Sequence, residues 1–526
     1  MVASGTKLEC VERLSYGYGV QNIMRPIETA LVLTNVLTFF ILTIPSLRAI
    51  RWTGYLVVIS LLIAFAQVML EGSRWQMIPS YGLTGLFCLI CLFQNITATE
   101  AFTAIKWVNP LAVGLGALGL AVSMALPMVF PVFRFPQPSG SYQIGTLTYH
   151  WKDLKRPEIF STDSNIRREL MVQIWYPAQV NPSLQHAVYM PDADAVMTAF
   201  AGIQQRPKFL FEHFKYVRTN AFSSAPVSNS EPSYPILLFL EGATGFRQMN
   251  TFQVEELVSH GYIVVALDQP GAAADVVFPD GHQIVILPVE QVRALIRPSY
   301  IPGKSVPLLN GKTLTGGSII PYLAQDVMFT LDRLTDLNHF DPNGILTGRL
   351  DLKHVGVFGV SLGGIVAPEA CHLEPRLKAC LMMDAPVPSD VVRAGLSQPS
   401  MWITRDADDM RLERQRLGGW SEVEILAHQT SMRATFEGLA GAGYFVQIPG
   451  TFHSNFMDVP NWFPLASQFG LSGQINPRRA HDIINAYSLA FFDQHLKGSP
   501  RALLDDLAEQ YPEVRVKTRQ VPPTRQ

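Results

Sequence analysis

Charged side chains are scarce in this chain of 526 residues. Asp, Glu, Lys and Arg make up 16% of it and hydrophobic residues 48%, whereas about a quarter of an average globular protein is charged. An excess of basic residues is also missing, since the formal net charge is −2 at pH 7. The first shortage argues against a wholly soluble protein. The second excludes the electrostatic footprint of a protein that binds nucleic acid.

Cysteine is also rare. The five cysteines are Cys10, Cys88, Cys91, Cys371 and Cys380. Two of them fall inside one apolar run, and none has a histidine at the spacing of a metal site. The sequence therefore predicts reduced, structural thiols, and it favours neither a disulfide framework nor a zinc site. We expect no metal and no cofactor.

The shortage of charge is concentrated near the N-terminus. No charged residue occurs between positions 28 and 48, 51 and 71, 74 and 100, or 106 and 134. Each run is close to or longer than the roughly 20 residues that a helix needs to cross the hydrocarbon core of a bilayer. We therefore predict a tail and a four-helix transmembrane region over residues 1–136, which anchor the protein in the lipid bilayer.

An even number of spans places the N-terminal tail and everything after the fourth span on the same side of the membrane. The residues that flank the spans on that side are Arg13, Arg25, Arg74 and Arg134, against Arg48, Arg51 and Lys106 on the other. Because positive residues are enriched in cytoplasmic segments, this bias leans towards a cytoplasmic location for the C-terminal part.

Beyond a Pro-rich joint at residues 130–136, short apolar runs alternate with helical patterns. The predicted strands are 143–149, 170–175, 236–240, 263–267, 355–359, 379–383, 400–404 and 444–448. The predicted helices are 251–258, 323–334, 365–371, 423–439 and 480–496. This alternation predicts an α/β domain over residues 137–511, with a mostly parallel central sheet flanked by helices.

Two segments exceed what a minimal sheet needs. Residues 177–235 and 278–320 are long insertions, which are interpreted either as a lid or pocket wall or as plain surface excursions. Residues 512–526 are polar and rich in Pro near their end. We predict that they form a flexible tail.

One Gly-rich turn carries a serine in a setting typical of a nucleophile. The turn Gly359-Val360-Ser361-Leu362-Gly363 follows an apolar strand pattern and opens a helical one. This is the nucleophile elbow of the α/β-hydrolase fold, in which a tight strand-to-helix turn presents the serine hydroxyl and leaves room only for glycine beside it. We therefore predict that Ser361 is a catalytic nucleophile.

A serine hydroxyl needs a base that takes its proton. Five histidines follow Ser361 in the chain: His372, His428, His453, His481 and His495. His453 lies in a loop directly after the predicted strand 444–448, where this fold places its base, whereas the others fall in or at the ends of helical segments. We predict that His453 is the base.

The carboxylate that orients the histidine is less clearly indicated. Asp384 follows the strand after the elbow, and Asp406, Asp408 and Asp409 follow the next one. A carboxylate at either place can reach the histidine and stabilise its imidazolium. Both positions remain open from the pattern alone.

Two backbone amides are expected to bind the oxyanion. In this fold, the residue after the nucleophile supplies one amide, and the loop after the third strand supplies the other. These positions correspond to Leu362 and, in the loop 241–245, to Ala243.

These motifs resemble those of the platelet-activating-factor acetylhydrolase family, in its plasma and type II branch, over residues 143–498. The similarity includes segments 171–178, 245–247, 259–262 and 489–496, the elbow, Met383-Asp384-Ala385 and a His-x-x-Phe-x-Asp loop at residues 453–458. The resemblance implies that Asp384 is the acid. It also implies hydrolysis of short or oxidised sn-2 acyl chains of phospholipids, without a metal.

The chain departs from the familiar members of that family in two ways. Glu241 stands where they have histidine before the oxyanion loop, and their animal enzymes lack four membrane spans. We expect a membrane-anchored serine hydrolase that acts on a small-molecule or lipid ester. The alternatives are a general carboxylesterase or lipase and a non-catalytic membrane protein with a hydrolase fold.

Overall fold

A computed structural model of the protein describes residues 24–44, 47, 53–96, 110–163, 165–301, 308, 314, 318–500 and 502–519. Cys10, the N-terminal tail with Arg13, and the flanking residues Arg48, Arg51 and Lys106 lie outside the described residues. The chain divides into two compact units, residues 1–133 and residues 134–526.

The first unit contains apolar helices in all four charge-poor runs: α1 Pro26–Thr43, α2 Thr53–Leu70, α3 Ile78–Ile96 and α4 Pro110–Val129. Three stretches are long and apolar enough to cross a membrane, namely Pro26–Thr43, Trp75–Phe93 and Pro110–Val129. The apolar stretch in α2, Gly54–Leu70, is shorter. The structure therefore supports three candidate spans, and the predicted four-span region is not confirmed.

A few polar side chains bond to one another between these helices. Glu28 accepts hydrogen bonds from Nε and Nη2 of Arg74, each at 2.7 Å. Asn35 donates to the carbonyl of Ser80 at 3.0 Å and accepts from Thr84 at 2.9 Å. Since lipid offers no hydrogen-bond partners, polar groups in apolar helices are stable when they satisfy each other in this way.

The second unit is built on an 11-stranded sheet with the strand order β13-β12-β11-β10-β9-β5-β6-β2-β1-β4-β3. These strands are β1 Gln143–Pro157, β2 Arg167–Ala178, β3 His186–Val188, β4 Arg218–Ser223, β5 Tyr234–Leu240, β6 Ile263–Asp268, β9 Leu350–Val360, β10 Leu377–Met383, β11 Ser400–Thr404, β12 Gly443–Gln447 and β13 Arg515–Arg519. A separate hairpin consists of β7 Val276–Val277 and β8 Gln283–Ile284.

Six adjacent strands, from β12 to β6, run parallel, and β2, β1 and β13 join them through antiparallel pairs. The helices are α5 Ala193–Ile203, α6 Thr251–Ser259, α7 Val289–Ile296, α8 Ile320–His339, α9 Leu362–Leu373, α10 Ser389–Ala394, α11 Ala407–Leu417, α12 Glu422–Gly438, α13 Val459–Trp462, α14 Pro477–Leu496 and α15 Ala502–Gln510. Short 3₁₀ turns cover Lys208–Tyr216, Arg297–Ser299 and His453–Phe456. The predicted α/β architecture with a mostly parallel central sheet is confirmed.

The centre of the sheet explains why its strands are apolar along their whole length. Every residue of β6 is buried, as are Leu237, Leu238 and Leu240 in β5. Parallel strands covered by helices on both faces bury each side chain, and full burial of a leucine contributes about 1.5–3 kcal/mol. This rigid centre fixes the carboxyl ends of the strands, where the candidate site residues lie.

The structure corrects the prediction for the C-terminus. Residues 515–519, which we predict from sequence to be part of a flexible tail, form β13 and pair with β12, with Val516 opposite Val446. The free hydrogen-bonding edge of β12 satisfies the backbone of this polar segment, and charged residues are common on edge strands. Residues 520–526 lie outside the described part of the chain.

The two predicted insertions contain regular structure. Residues 177–235 supply β3 and β4, which extend the sheet beyond β1, together with α5. Residues 278–320 contain β8 and α7, and positions 302–307, 309–313 and 315–317 lie outside the described residues. The first insertion is therefore partly an extension of the sheet.

Candidate active site

Ser361 lies in a tight turn between β9 and α9. Its backbone has φ 56° and ψ −117°, a left-handed conformation that costs energy for any residue except glycine. A Cβ at Gly363 would lie 2.0 Å from the carbonyl oxygen of Leu240, and one at Gly359 would lie 2.3 Å from the backbone of Gly363. The sequence around Ser361 therefore folds as an elbow because only glycine fits on either side.

Asp384 follows β10, the neighbour of β9 in the sheet. It is fully buried and has φ 44°. Its Oδ2 lies 2.6 Å from Nδ1 of His453, which follows β12 and begins the 3₁₀ turn His453–Phe456. The structure thus brings Asp384 and His453 into a direct hydrogen bond from positions 69 residues apart in sequence.

The other candidate acids have different partners. Asp406 caps α11, where its side chain accepts hydrogen bonds from the amides of Asp408 and Asp409 at 3.0 and 2.9 Å. Asp408 is exposed and pairs with Arg411, and Asp409 accepts from the amide of Gly450 at 2.9 Å. Among the described carboxylates, Asp384 is therefore the one that hydrogen-bonds to the His453 ring.

Asp384 is held in its ionised form. Burial by itself would raise its pKa, but the Arg405 guanidinium and the hydrogen bond from His453 outweigh burial, so the pKa of the carboxyl lies far below its usual range. Arg405 is the strongest of these favourable influences, because its Nε donates to the same Oδ2 at 2.9 Å. A negative charge is therefore available to stabilise an imidazolium at His453.

The described residues include no hydrogen bond between the Ser361 hydroxyl and His453. In proteins without bound substrate, catalytic hydrogen bonds are often long and tighten only when substrate binds. Two of the other histidines make separate contacts: His481 bonds to the carbonyl of Met457, and His495 bonds to the hydroxyl of Tyr444. His428 lies nearer the site, with Nε2 3.8 Å from Oδ1 of Asp384.

The predicted oxyanion amides face no competing acceptor. Thr244 donates its amide to the carbonyl of Ala272, and Gly245 donates to Gly242. By contrast, the amides of Ala243 and Leu362 have no acceptor among the described residues. A Cβ built on Gly242 would lie 3.2 Å from Cβ of Ser361, so the loop that carries Ala243 packs directly against the elbow.

Glu241, the first residue of this loop, is buried. Its Oε1 accepts the amide of Gln269 at 2.8 Å. Burial, and next the negative charge of Asp268, raise its pKa well above the usual range of a carboxyl. Both influences disfavour a negative charge on Glu241, beside the place where an oxyanion would develop.

Three residues near His453 were missed by the sequence reasoning. Arg405 contacts Asp384, Glu413 accepts the backbone amide of His453 at 3.2 Å, and the Trp420 ring lies edge-to-face with the His453 ring at 6.0 Å. Arg405 directly follows β11, at the same sheet edge as the candidate acids. A search of that position for cations as well as carboxylates would have found it.

Asp458, the last residue of the His-x-x-Phe-x-Asp loop, connects this loop to helix α6. Its two carboxylate oxygens accept the amides of Thr251 and Phe252 at 2.9 and 3.0 Å, and Tyr189 donates its hydroxyl at 2.9 Å. Its own amide donates to the carbonyl of Met249 at 2.8 Å. The motif therefore fixes the histidine loop to the segment that continues from the oxyanion loop.

The sequence model of a family described as platelet-activating factor acetylhydrolase, isoform II, matches residues 128–280 and 335–502, more than half of the chain. A platelet-activating factor acetylhydrolase of Gallus gallus is 23% identical over 308 residues, which cover 55% of this chain and 68% of that protein. One of Cavia porcellus is 24% identical over 387 residues, covering 69% and 78%.

Two further similarities extend the comparison. A probable 1-alkyl-2-acetylglycerophosphocholine esterase of Arthroderma benhamiae is 22% identical over 426 residues, which cover 75% of this chain and 95% of that protein. The solved structure of a ferulic acid esterase from Streptomyces cinnamoneus is 25% identical with a TM-score of 0.56, covering 73% of this chain and 99% of that one. The chain belongs to the platelet-activating factor acetylhydrolase, isoform II family, and it is an ester hydrolase.

Proposed function

We propose that the protein is a membrane-anchored serine hydrolase that cleaves short-chain acyl esters of phospholipids through Ser361, His453 and Asp384. The observation that carries this proposal is the 2.6 Å bond from His453 Nδ1 to a buried, ionised Asp384, at the same sheet edge as a serine in a strained elbow. This is the arrangement of groups that serine acyl transfer requires.

The reaction has two halves. Nε2 of His453 takes the proton of the Ser361 hydroxyl while Oγ attacks the ester carbonyl, and the amides of Ala243 and Leu362 bind the resulting oxyanion. When the tetrahedral intermediate collapses, the alcohol leaves with the proton from His453, and the acyl group stays on Ser361. Water, deprotonated by His453, then attacks the acyl-enzyme; as the bond from the acyl carbon to Oγ breaks, His453 returns the proton to Ser361 and the carboxylic acid is released.

Asp384 has a supporting role in both halves. Its bond to Nδ1 fixes the tautomer in which Nε2 is free to accept a proton, and its charge stabilises the imidazolium that forms. His453 carries every transferred proton, Asp384 stabilises the imidazolium, and the two backbone amides stabilise the oxyanion. The proposed reaction therefore needs no metal ion and no cofactor.

The substrate class and the location rest on different observations. The names of the relatives and the candidate spans Pro26–Thr43, Trp75–Phe93 and Pro110–Val129 support a lipid ester that is met at a membrane. We propose two domains, residues 1–136 as the membrane region and residues 137–519, which include β13, as the hydrolase, with the hydrolase on the cytoplasmic side. A general carboxylesterase is the second candidate, because the ferulic acid esterase has a similar fold.

One set of assays on the purified full-length protein tests the proposal. We expect a fluorophosphonate to label wild type and not Ser361→Ala, and we expect Ser361→Ala to lose hydrolysis by at least about 1,000-fold. Turnover of p-nitrophenyl esters from acetyl to palmitoyl, compared with an sn-2-acetyl phospholipid, distinguishes the two candidates. Full activity of Ser361→Ala contradicts the mechanism. Release of the protein from isolated membranes by alkaline carbonate contradicts the membrane anchor.

A further inference from the structure

Arg405 is a buried cation in contact with the candidate triad acid. Its side chain is fully buried, and its Nε donates to Oδ2 of Asp384 at 2.9 Å. The same oxygen accepts the hydrogen bond from Nδ1 of His453. Arg405 and His453 therefore share one carboxylate oxygen, so the guanidinium directly affects how much negative charge the imidazole experiences.

Glu413 closes this arrangement into a ring. Arg405 Nη1 pairs with Oε2 of Glu413, and Oε1 of Glu413 accepts the backbone amide of His453 at 3.2 Å. Asp384 thus binds the imidazole of His453, while Arg405 and Glu413 link the Asp384 carboxylate to the backbone amide of His453. This closed cycle of contacts among the four residues restricts both the position and the orientation of the imidazole.

The charges of the ring are matched to the proposed chemistry. Asp384, Arg405 and Glu413 together carry one net negative charge, which becomes zero when His453 is protonated. A lone guanidinium beside Asp384 would neutralise the acid and disfavour the imidazolium, whereas Glu413 offsets that cation. Such offsetting matters because charges in a buried site are weakly screened by solvent.

Three other ionisable groups lie near the cluster of Asp384, Arg405, Glu413 and His453. His428 on α12 places Nε2 3.8 Å from Oδ1 of Asp384, and burial lowers its pKa to about 4, so that it is neutral near pH 7. Asp409 on α11 accepts a hydrogen bond from the amide of Gly450. Gly450 lies in the loop that leads to His453. Arg416 lies over the ring of Phe452, with its guanidinium carbon 5.8 Å from the ring centroid.

We propose that Arg405 and Glu413 are positioning residues that hold His453 against Asp384 and set the basicity of His453 with opposite signs. This inference rests on the proposed triad. Arg405 draws the carboxylate charge away from His453 and favours the neutral imidazole. Glu413 returns negative charge and favours the imidazolium. Their opposite charges offset each other around the base, which accepts a proton during the reaction.

The test is the pH profile of kcat/KM, whose acidic limb reports the ionisation of the base in free enzyme. With p-nitrophenyl acetate and full-length protein, Arg405→Gln is expected to move this limb to higher pH by about half a unit to one unit. Glu413→Gln is expected to move it to lower pH by a similar amount, about half a unit. A purely structural role would lower kcat without moving the two limbs in opposite directions.

Two further variants keep the result interpretable. Arg405→Lys retains the cation, so its limb should stay near that of wild type while kcat falls by about 10–100-fold, because one ammonium cannot hold both carboxylates as the planar guanidinium does. Arg411→Gln removes a half-exposed arginine of α11, the helix that carries Glu413; Arg411 bonds to Glu422. This control should leave both the limb and kcat unchanged.

The outcomes separate the inference from the proposed function. If Ser361→Ala abolishes activity but the limbs of Arg405→Gln and Glu413→Gln coincide with wild type or move together, the inference is wrong and the triad stands. If Ser361→Ala remains active, the proposed function itself fails. If Arg405→Gln does not fold, the acidic limbs of Glu413→Gln and Arg405→Lys still test the inference. An acidic limb of Glu413→Gln at the wild-type pH overturns it.

Discussion

At the residue scale, the site depends on which carboxylate meets the histidine. Asp384 and Asp406 follow neighbouring strands, and both are near the same sheet edge. Asp384 is buried and bonds to His453, whereas Asp406 turns its oxygens to the first amides of α11. The same residue type is thus an ionised acid in one place and a helix cap in the other.

This difference gives a prediction for two matched variants. Asp384→Asn should lower kcat by about 10,000-fold, because the amide favours the wrong histidine tautomer and carries no charge. Asp406→Asn should keep near-wild-type kcat, since asparagine also caps a helix well. Steady-state kinetics of both proteins check this, and equal losses in the two variants would contradict the assignment of Asp384.

At the scale of elements, the histidine loop and helix α6 are joined by backbone and side-chain bonds. Asp458 accepts the amides of Thr251 and Phe252, and Asn250 donates to the carbonyl of Phe456 at 2.8 Å. The oxyanion loop lies just before α6 in the chain. A change at Asp458 therefore acts on two parts of the candidate site at once.

We expect Asp458→Ala to destabilise the fold and to reduce catalysis. The buried amides of Thr251 and Phe252 lose their acceptor, which costs about 1–3 kcal/mol for each unsatisfied group. The thermal midpoint should fall, and kcat/KM measured well below that midpoint should fall as well. Asp408→Ala, which removes an exposed carboxylate, serves as the control; a variant at Asp458 with wild-type kcat/KM would show that the connection has no catalytic effect.

At the scale of the whole molecule, two buried histidines link stability to pH. Burial lowers the pKa of His428 and of His481 from 6.5 to about 4. The unfolded chain binds these protons as the pH falls through about 6.5, but the folded protein binds them only near pH 4. Acidification within this window therefore favours the unfolded state.

Lowering the pH from 6.5 to 4 is expected to lower the thermal midpoint of the wild-type hydrolase unit relative to that of His428→Leu. Each histidine contributes at most about 1.4 kcal/mol of unfolding free energy per pH unit. His428→Leu should remove one of these two contributions and flatten the dependence. Tryptophan fluorescence of full-length protein in detergent measures the midpoints, and an equally steep fall in wild type and variant would rule out His428 as a source.

The sequence by itself determined the composition-driven features of the molecule. Charge-free runs near the N-terminus indicated apolar helices, because uncharged stretches of that length are rare elsewhere. Alternating apolar strands and helices indicated the sheet, and the two glycines around Ser361 indicated the elbow, because only glycine fits there. These features follow from local periodicity and sterics, which a sequence pattern records directly.

The tertiary structure decided what depends on distant partners. Nothing in the sequence around Arg405 says that its guanidinium reaches Asp384 and Glu413. The polar segment 515–519 resembles a tail until the open edge of β12 supplies its hydrogen bonds. The sequence contains four uncharged runs, but only three of the described helices are long and apolar enough to be candidate membrane spans. Contacts between residues far apart in the chain carry no local signature, so their geometry appears only once the sheet has brought the strand ends together.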